Sequence, residues 1–331
     1  MLKNIVGCDF PKKILASAVI SGNHAGAYLF FGPRGVGKTL TALEFAKALN
    51  CESPVEGGSC DTCASCRSID HGNSPDVTLW SPEGQNTKIE QMRHMREEAW
   101  HAPLRAKFKV NIIEKADTMN EESSNSVLKL LEEPPDYLVN ILLYENTSKI
   151  LDTIASRCAK IRFTPAPAEE VINFLTETRG ADPERASLCA LHSGGCPGRA
   201  LEILDDDRFD EKRAVIADAA ESILTRDIHS ALIHGERMRS LTDGSQKDSA
   251  KEALDMLAVY LRDIYAASLD PENADIVNAD QAEEIRFRAS RAGNKDLPGV
   301  IRQIIETGYA LSGNANPQIA LESLLTRVIS D

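Results

Sequence analysis

The hydrophobic positions in the first half of the chain come in short runs separated by longer amphipathic stretches. Ala27-Tyr28-Leu29-Phe30-Phe31 is an unbroken apolar run ending at a glycine, which predicts a buried strand, and Leu40 to Leu49 has the spacing of a helix following it. Val77-Thr78-Leu79-Trp80 predicts a second strand and Glu90 to Trp100 a polar helix. Val110-Asn111-Ile112-Ile113 predicts a third strand, and Ser123 to Leu131 a helix stopped by Pro134-Pro135. Val139 to Tyr144 supplies a fourth strand and Ala159 to Phe163 a short fifth. Strands and helices alternating in this way predict an α/β domain with a parallel sheet.

After Pro165-Ala166-Pro167 the strand-like runs stop and only helical periodicity remains. Residues 168–205 predict a small helical unit, interrupted at Ser193-Gly194-Gly195-Cys196-Pro197-Gly198. From about residue 206 the chain reads as all-helical. Leu254, Leu257, Ala258 and Leu261 recur at one-face spacing, as do Leu321, Leu324, Leu325 and Val328, and Asn316-Pro317 sets a capping side chain before a helix-starting proline. The expected division is therefore 1–165, 166–205 and 206–331.

Composition keeps this picture within the globular class: 331 residues are 42% hydrophobic and 26% charged. No apolar run approaches the roughly 20 residues of a membrane span. Met1 to Asp9 lacks the apolar core of a signal peptide, so a cytoplasmic protein without membrane association is the expectation. The net charge of −13 is unevenly spread, at −1 over residues 1–165 and −12 over 166–331. That excludes a protein that grips nucleic acid with its whole surface and assigns any polyanion binding to the first half. Arg105, Lys107 and Lys109 form the one local basic run, expected to be the charged, exposed edge of a sheet.

Gly32-Pro33-Arg34-Gly35-Val36-Gly37-Lys38-Thr39 fits the phosphate-loop pattern G-x-x-x-x-G-K-[ST], between a predicted strand and a predicted helix as that pattern requires. The glycines let successive backbone N–H groups face phosphate oxygens, and the helix start adds its positive end. Lys38 is placed to reach the terminal phosphates and the Thr39 hydroxyl a Mg²⁺ ion. An ATPase also needs a strand ending in Asp-Glu. Here the third strand ends Ile112-Ile113-Glu114-Lys115-Ala116-Asp117. Glu114 can hold the metal through water, whereas Lys115 cannot act as a general base. Asp117 is a second acidic candidate or a helix cap. Nucleotide binding is better supported than hydrolysis.

Of eight cysteines, Cys51, Cys60, Cys63 and Cys66 fall within sixteen residues. Four thiolates close a tetrahedral Zn²⁺ shell with no vacant position, which points to a structural site; a redox pair or free thiols are the alternatives. Cys8, Cys158, Cys189 and Cys196 are isolated and read as small packing side chains. The cysteine loop is more than a core of this size needs for folding, so partner contact is its expected purpose.

Ser156-Arg157-Cys158 and Gly198-Arg199-Ala200 would each, alone, read as a solvated or helix-capping arginine. Beside a phosphate loop they read as charge brought to phosphates from outside it, one of them across a subunit boundary. Together these residues resemble the bacterial clamp-loader branch of the AAA+ ATPases over nearly the whole chain. Asn125-Ser126-Val127-Leu128-Lys129-Leu130-Leu131-Glu132-Glu133-Pro134-Pro135 is similar to that branch's Asn-x-Leu-Leu-Lys-x-Leu-Glu-Glu-Pro-Pro segment, and Ser156-Arg157-Cys158 to its SRC motif. Gly195 to Leu201 resembles its sensor-2 helix, and Asn314-Ala315-Asn316-Pro317-Gln318-Ile319-Ala320-Leu321-Glu322 its collar helix.

The resemblance implies an AAA+ P-loop domain over 1–165 with a zinc module inserted at 51–66, a helical lid over 166–205 and a helical collar over 206–331. It implies a hetero-pentamer with gamma/tau and delta subunits that uses ATP to open the ring-shaped sliding clamp and place it on primed DNA. Arg157 would act in trans on ATP held by a neighbouring gamma/tau subunit, and Arg199 would sense nucleotide in its own chain. Structural Zn²⁺ and ATP with Mg²⁺ are the implied cofactors. The motor subunits carry an acidic pair where this chain has Glu114-Lys115, which favours a stator with weak or no ATPase of its own. The alternatives are an ATP-hydrolysing gamma/tau-type subunit using Glu114 or Asp117, and a stand-alone P-loop nucleotide-binding protein.

Overall fold

The computed structural model describes residues 5–82, 84, 87–240, 246–293, 295–311 and 315–330. The chain folds as two compact units, Met1–Leu201 and Glu202–Asp331.

The first unit is built on five strands, β1 (Ala27–Phe31), β2 (Val77–Trp80), β3 (Lys109–Ile113), β4 (Leu138–Tyr144) and β5 (Ala159–Arg162). Every neighbouring pair is parallel, in the order β2-β3-β4-β1-β5. The unbroken apolar runs arise because both faces of this sheet are covered by helices. With a side-chain period of two, each strand sends alternate residues to each side. Tyr28, Phe30, Val110, Ile112, Val139, Ile141 and Leu143 pack with Leu15 of α1 (Asp9–Ser21) and with Ala42, Phe45 and Leu49 of α2 (Lys38–Asn50). Ala27, Leu29, Ile113, Leu138, Leu142 and Tyr144 pack on the other side, with Met92 and Met95 and with Val127, Leu130 and Leu131. These belong to α4 (Ile89–Ala99) and α5 (Glu121–Glu132); the short α3 (Ala64–Asp70) and α6 (Asp152–Ala155) complete this part of the unit. Burying a large apolar side chain of this kind contributes about 1.5–3 kcal/mol, so the two clusters are what hold the sheet and its loops in register.

Polar side chains pin what the apolar core cannot. Trp80 Nε1 donates to Asn111 Oδ1 at 3.1 Å, and Asn111 Nδ2 donates to Asn140 Oδ1 at 3.2 Å, a chain of bonds linking β2, β3 and β4. Asp76, buried just before β2, accepts the amides of Leu104, Arg105 and Ala106 at 2.6, 2.8 and 2.8 Å. Burial alone would raise its pKa; the three amide bonds and Lys109 outweigh that and hold the carboxyl below its usual range.

Two readings of the sequence need correcting. Lys109 opens β3, an interior strand, and is 7% exposed, with Nζ donating to the Glu98 carbonyl at 2.5 Å. The alternating basic run is therefore no exposed sheet edge: its last member is a buried cation that satisfies the C-terminal turn of α4. Asp117 does not cap the helix after it. Its Oδ1 accepts the Glu145 amide at 3.2 Å, and Asn120 caps α5 by accepting the Ser123 amide at 2.8 Å.

After β5 the chain is helical: α7 (Ala168–Arg179), α8 (Pro183–His192) and α9 (Pro197–Leu204). Between α8 and α9, Gly195 has φ +78° and its carbonyl accepts the Ala166 amide at 2.8 Å. A Cβ on Gly195 would lie 2.3 Å from the Ala166 carbonyl oxygen, so only glycine lets the α8–α9 turn seat on the Pro165–Pro167 segment.

The second unit consists of α10 (Phe209–Thr225), α11 (Ile228–Ser240), α12 (Gln246–Leu269), α13 (Ala282–Arg291), α14 (Leu297–Leu311) and α15 (Pro317–Ser330). Leu254, Leu257 and Leu261 are buried on α12, and Leu321, Leu324, Leu325 and Val328 on α15, as their spacing predicts. Asn316 caps α15, its Oδ1 accepting the Gln318 amide at 2.9 Å, ahead of Pro317 in the first turn. Asn314 of the collar-like segment lies outside the described residues. Among the described residues no helix is long and apolar enough to cross a membrane.

Candidate functional site

The loop Gly32–Thr39 leaves the carboxyl end of β1, the place where open parallel sheets bind ligands, and runs into the first turn of α2. Its tip packs on the start of α9. Gly35 has φ +75° and its carbonyl accepts the Gly198 amide at 2.8 Å. A Cβ there would stand 2.6 Å from the Arg199 backbone nitrogen, so glycine is required both for the turn and for the approach. Lys38 is 7% exposed and its ammonium donates to the carbonyls of Gly32 and Pro33, at 2.8 Å each. Burial lowers the Lys38 pKa, with Glu145 and Asp117 opposing.

The acidic partner predicted from the third strand is in place. Glu114 follows β3, and its Oε1 accepts the Thr39 hydroxyl at 2.9 Å while Oε2 accepts that of Ser81 at 2.7 Å. A hydroxyl and a carboxylate at this separation, beside a phosphate loop, could hold a hydrated divalent cation. Lys115, next in the chain, adopts a left-handed backbone with φ +46° and also borders the cavity. A cation therefore stands where a water-polarising carboxylate would be needed.

A cavity of about 280 Å³ opens over this arrangement. Gly35, Val36, Gly37, Lys38 and Thr39 form one wall and Glu114, Lys115 and Glu145 another. Besides Leu40 of α2, the apolar lining includes Ile5, Val6, Leu143, Phe174, Pro197 and Leu201. Sequence reasoning missed these apolar residues: they lie up to 196 positions apart, and no local pattern marks them as neighbours. Polar loop residues beside apolar side chains suit a nucleotide, with phosphates at the loop and the base against the apolar lining. Gly32, Pro33, Arg34 and Arg199 do not line the cavity; Pro33 and Arg34 are exposed at the loop tip, and Arg199 is half-buried in the first turn of α9.

Arg157 lies apart from its own chain's cavity. It follows α6, and its guanidinium is gripped by Glu132 at the end of α5, with Nε donating at 2.7 Å and Nη2 also in contact, while Nη1 donates to the Thr153 carbonyl at 2.7 Å. The side chain is 30% exposed, a fixed fork at the surface. Cys158 beside it is half-buried, and burial pushes its thiol up to about 12, so it serves packing and not reactivity.

The structure gathers the four clustered cysteines. Their sulfurs all lie within 4.8 Å of one another. A tetrahedral zinc with Zn–S bonds of about 2.3 Å has sulfurs roughly 3.8 Å apart along each edge, so the set fits that ion with little movement. Cys51 directly follows α2, Cys63 caps α3 through its sulfur, and Cys66 lies buried inside α3. The amides of Cys60, Cys63 and Cys66 donate to the sulfurs of Cys51, Cys60 and Cys63 at 3.3, 3.3 and 3.4 Å. Such bonds favour thiolates. Bonds from the Thr62 amide and hydroxyl and from the Cys63 amide bring the Cys60 thiol down to about 6, whereas burial pushes the Cys51 and Cys66 thiols up. Cys8, Cys189 and Cys196 are buried outside this cluster, Cys8 and Cys196 within one apolar core.

Comparison with known proteins gives the family. The chain matches the family described as DNA polymerase III, delta subunit, over residues 9–167, and the family described as DNA polymerase III, delta subunit, C terminal, over 230–330. It is 30% identical over 315 residues to DNA polymerase III subunit delta' of Bacillus subtilis (strain 168), covering 95% of this chain and 93% of that relative. With DNA polymerase III subunit tau of the same organism it shares 31% identity over 261 residues, 77% of this chain and 46% of the relative, so it spans about half of the tau protein's length. A solved structure of a gamma-subunit-related protein from Thermotoga maritima aligns over 96% of this chain and 98% of its own at 16% identity, with a TM-score of 0.43. On likeness to a single relative over nearly its whole length, the chain belongs to the delta' family of DNA polymerase III clamp-loader subunits.

Proposed function

We propose that the chain is the stator of a clamp-loader pentamer, assembled in the cytoplasm with gamma/tau and delta subunits, and that it helps ATP-driven opening of the sliding clamp and its placement on primed DNA. In this reading residues 1–165 are the P-loop domain, 166–205 the lid and 206–331 the collar. The observation that carries the stator assignment is the pairing of an intact phosphate loop with Glu114 and Lys115. Thr39 and Glu114 can hold Mg²⁺ and Lys38 can neutralise phosphate charge, so the cavity suits ATP. Lys115 offers no proton acceptor for an attacking water, so bound ATP persists.

Two further roles belong to the same proposal. Arg157, held at the surface by Glu132, is the arginine offered to ATP in a neighbouring gamma/tau subunit. Arg199 does not line the cavity, but its backbone packs against Gly35 of the phosphate loop, and through that loop it reports nucleotide in its own chain. Cys51, Cys60, Cys63 and Cys66 hold a structural Zn²⁺ that keeps the 51–66 loop rigid for partner contact.

Steady-state ATP hydrolysis by the isolated chain tests the stator reading. Turnover at background, unchanged by Lys38→Ala, is expected. Robust turnover that Lys38→Ala abolishes would sink it and favour the gamma/tau-type motor, for which the preserved Thr39–Glu114 contact is the supporting observation.

A further inference from the structure

The C-terminal turn of α2 carries a buried cation that neither the nucleotide cavity nor the cysteine cluster uses. Lys47 is 2% exposed, and its ammonium meets three carboxylates: Glu44 Oε1 at 2.9 Å, Asp61 Oδ1 at 2.6 Å and Asp70 Oδ1 at 2.9 Å. An ammonium has three protons, and here each has its own acceptor. Burial works to lower the Lys47 pKa, but the three acceptors outweigh it and hold the group charged.

The carboxylates come from telling places. Glu44 is on α2 itself. Asp61 lies between Cys60 and Cys63, on a left-handed backbone with φ +59°. Asp70 is the last residue of α3, the helix that carries Cys66 and is capped by the Cys63 sulfur. The Ser59 hydroxyl lies 2.7 Å from Asp61 Oδ1 and 3.2 Å from Glu44 Oε2, joining the same network. The platform is also fixed: Asn50, the last residue of α2, exchanges hydrogen bonds with the Phe108 backbone at 3.0 and 2.8 Å. Cys51 follows at once. One helix therefore runs from the phosphate-loop lysine to the first cysteine of the cluster.

We infer that Lys47 is the positioning residue of the four-cysteine module: its ammonium clasps the Cys60–Cys63 turn and the end of α3 to the P-loop helix and thereby sets how tightly the module holds zinc. The inference rests on reading the cluster as a zinc site and goes beyond it, because it assigns the module's affinity to a residue outside the cysteines. Without the ammonium, three carboxylates converge beside the cysteine loop with no cation between them, and their repulsion opens the loop. Arginine cannot substitute, because its planar fork does not offer three protons from one atom.

The test uses the full chain as wild type, Lys47→Met and Asp70→Asn. Each protein is loaded with zinc and competed with a chromophoric chelator, and amide hydrogen exchange over residues 59–71 is followed with zinc and after stripping. Residues that orient metal ligands typically contribute ten- to a hundredfold in affinity, so Lys47→Met should bind zinc about ten- to a hundredfold more weakly. Its 59–71 segment should exchange faster in both states. Asp70→Asn, which removes the charge of one acceptor at a 45% exposed position and leaves a neutral amide oxygen in its place, should shift both readouts the same way by less. Wild-type zinc affinity in Lys47→Met overturns the inference; should that variant not fold, wild-type affinity in Asp70→Asn does so. A wild-type chain that takes up no zinc refutes the metal reading instead. The clasp is then judged on exchange in the metal-free chains, and unchanged rates in the variants overturn it.

Discussion

Arg157→Ala should leave the clamp-loader complex assembled and lower its DNA-stimulated ATP turnover by about a hundredfold or more, the scale typical of a trans-acting arginine. The expectation follows from where the residue stands. Arg157 does not line its own chain's cavity, so its loss should leave nucleotide binding there unchanged. The Glu132 carboxylate and the Thr153 carbonyl fix the guanidinium at the surface, where little rotamer freedom remains to be lost on docking against a phosphate. The Glu132 pairing also predicts that the arginine is pre-aimed, so Glu132→Gln should reproduce part of the defect. Turnover of the reconstituted Arg157→Ala complex under saturating primed DNA and clamp checks this, and an unchanged rate would remove Arg157 from the mechanism.

The second large effect concerns the metal. Fresh protein that has met no chelator should contain one zinc per chain, and Cys60→Ser combined with Cys63→Ser should bring that to near zero by elemental analysis. In small metal-dependent domains structural zinc contributes an apparent 10–16 kcal/mol. Here the sheet and its two apolar clusters do not depend on the cysteine loop, so the loss is local. Amides over residues 51–70 should lose protection from exchange while those of β1, β3 and β4 keep it. Well under one zinc per wild-type chain would defeat the four-cysteine assignment.

Much of this was legible in the sequence for identifiable physical reasons. Strands buried on both faces write themselves as apolar runs, as β1, β3 and β4 do, and the half-exposed β2 and β5 were still legible; β1 and β2 fall where they were expected, with β3, β4 and β5 one residue different at an end. The phosphate loop, Glu114 and the four cysteines were legible because their chemistry needs particular residues at short, fixed spacing, and the structure brings Thr39 to Glu114 and the cysteines to one another. What stayed hidden depends on distant parts of the chain. The apolar wall of the cavity joins Ile5 and Val6 to Phe174 and Leu201, which share no periodicity. Helix α1 was missed because Cys8, at its start, has a left-handed backbone and makes no side-chain cap. Lys109 read as an edge charge because alternation shows which residues share a face and not whether a strand lies inside the sheet. The same limit hid Lys47, which looks like one more helix-surface cation until the carboxylates of two other segments are seen to close on it.

The central claim, that this chain takes the stator position in a clamp-loader assembly, is tested most directly by mixing it with gamma/tau and delta subunits and weighing the product by native mass spectrometry. A five-subunit complex containing one copy of this chain is expected. A chain that remains monomeric beside assembled partners, or that occupies several positions in the ring, would contradict it.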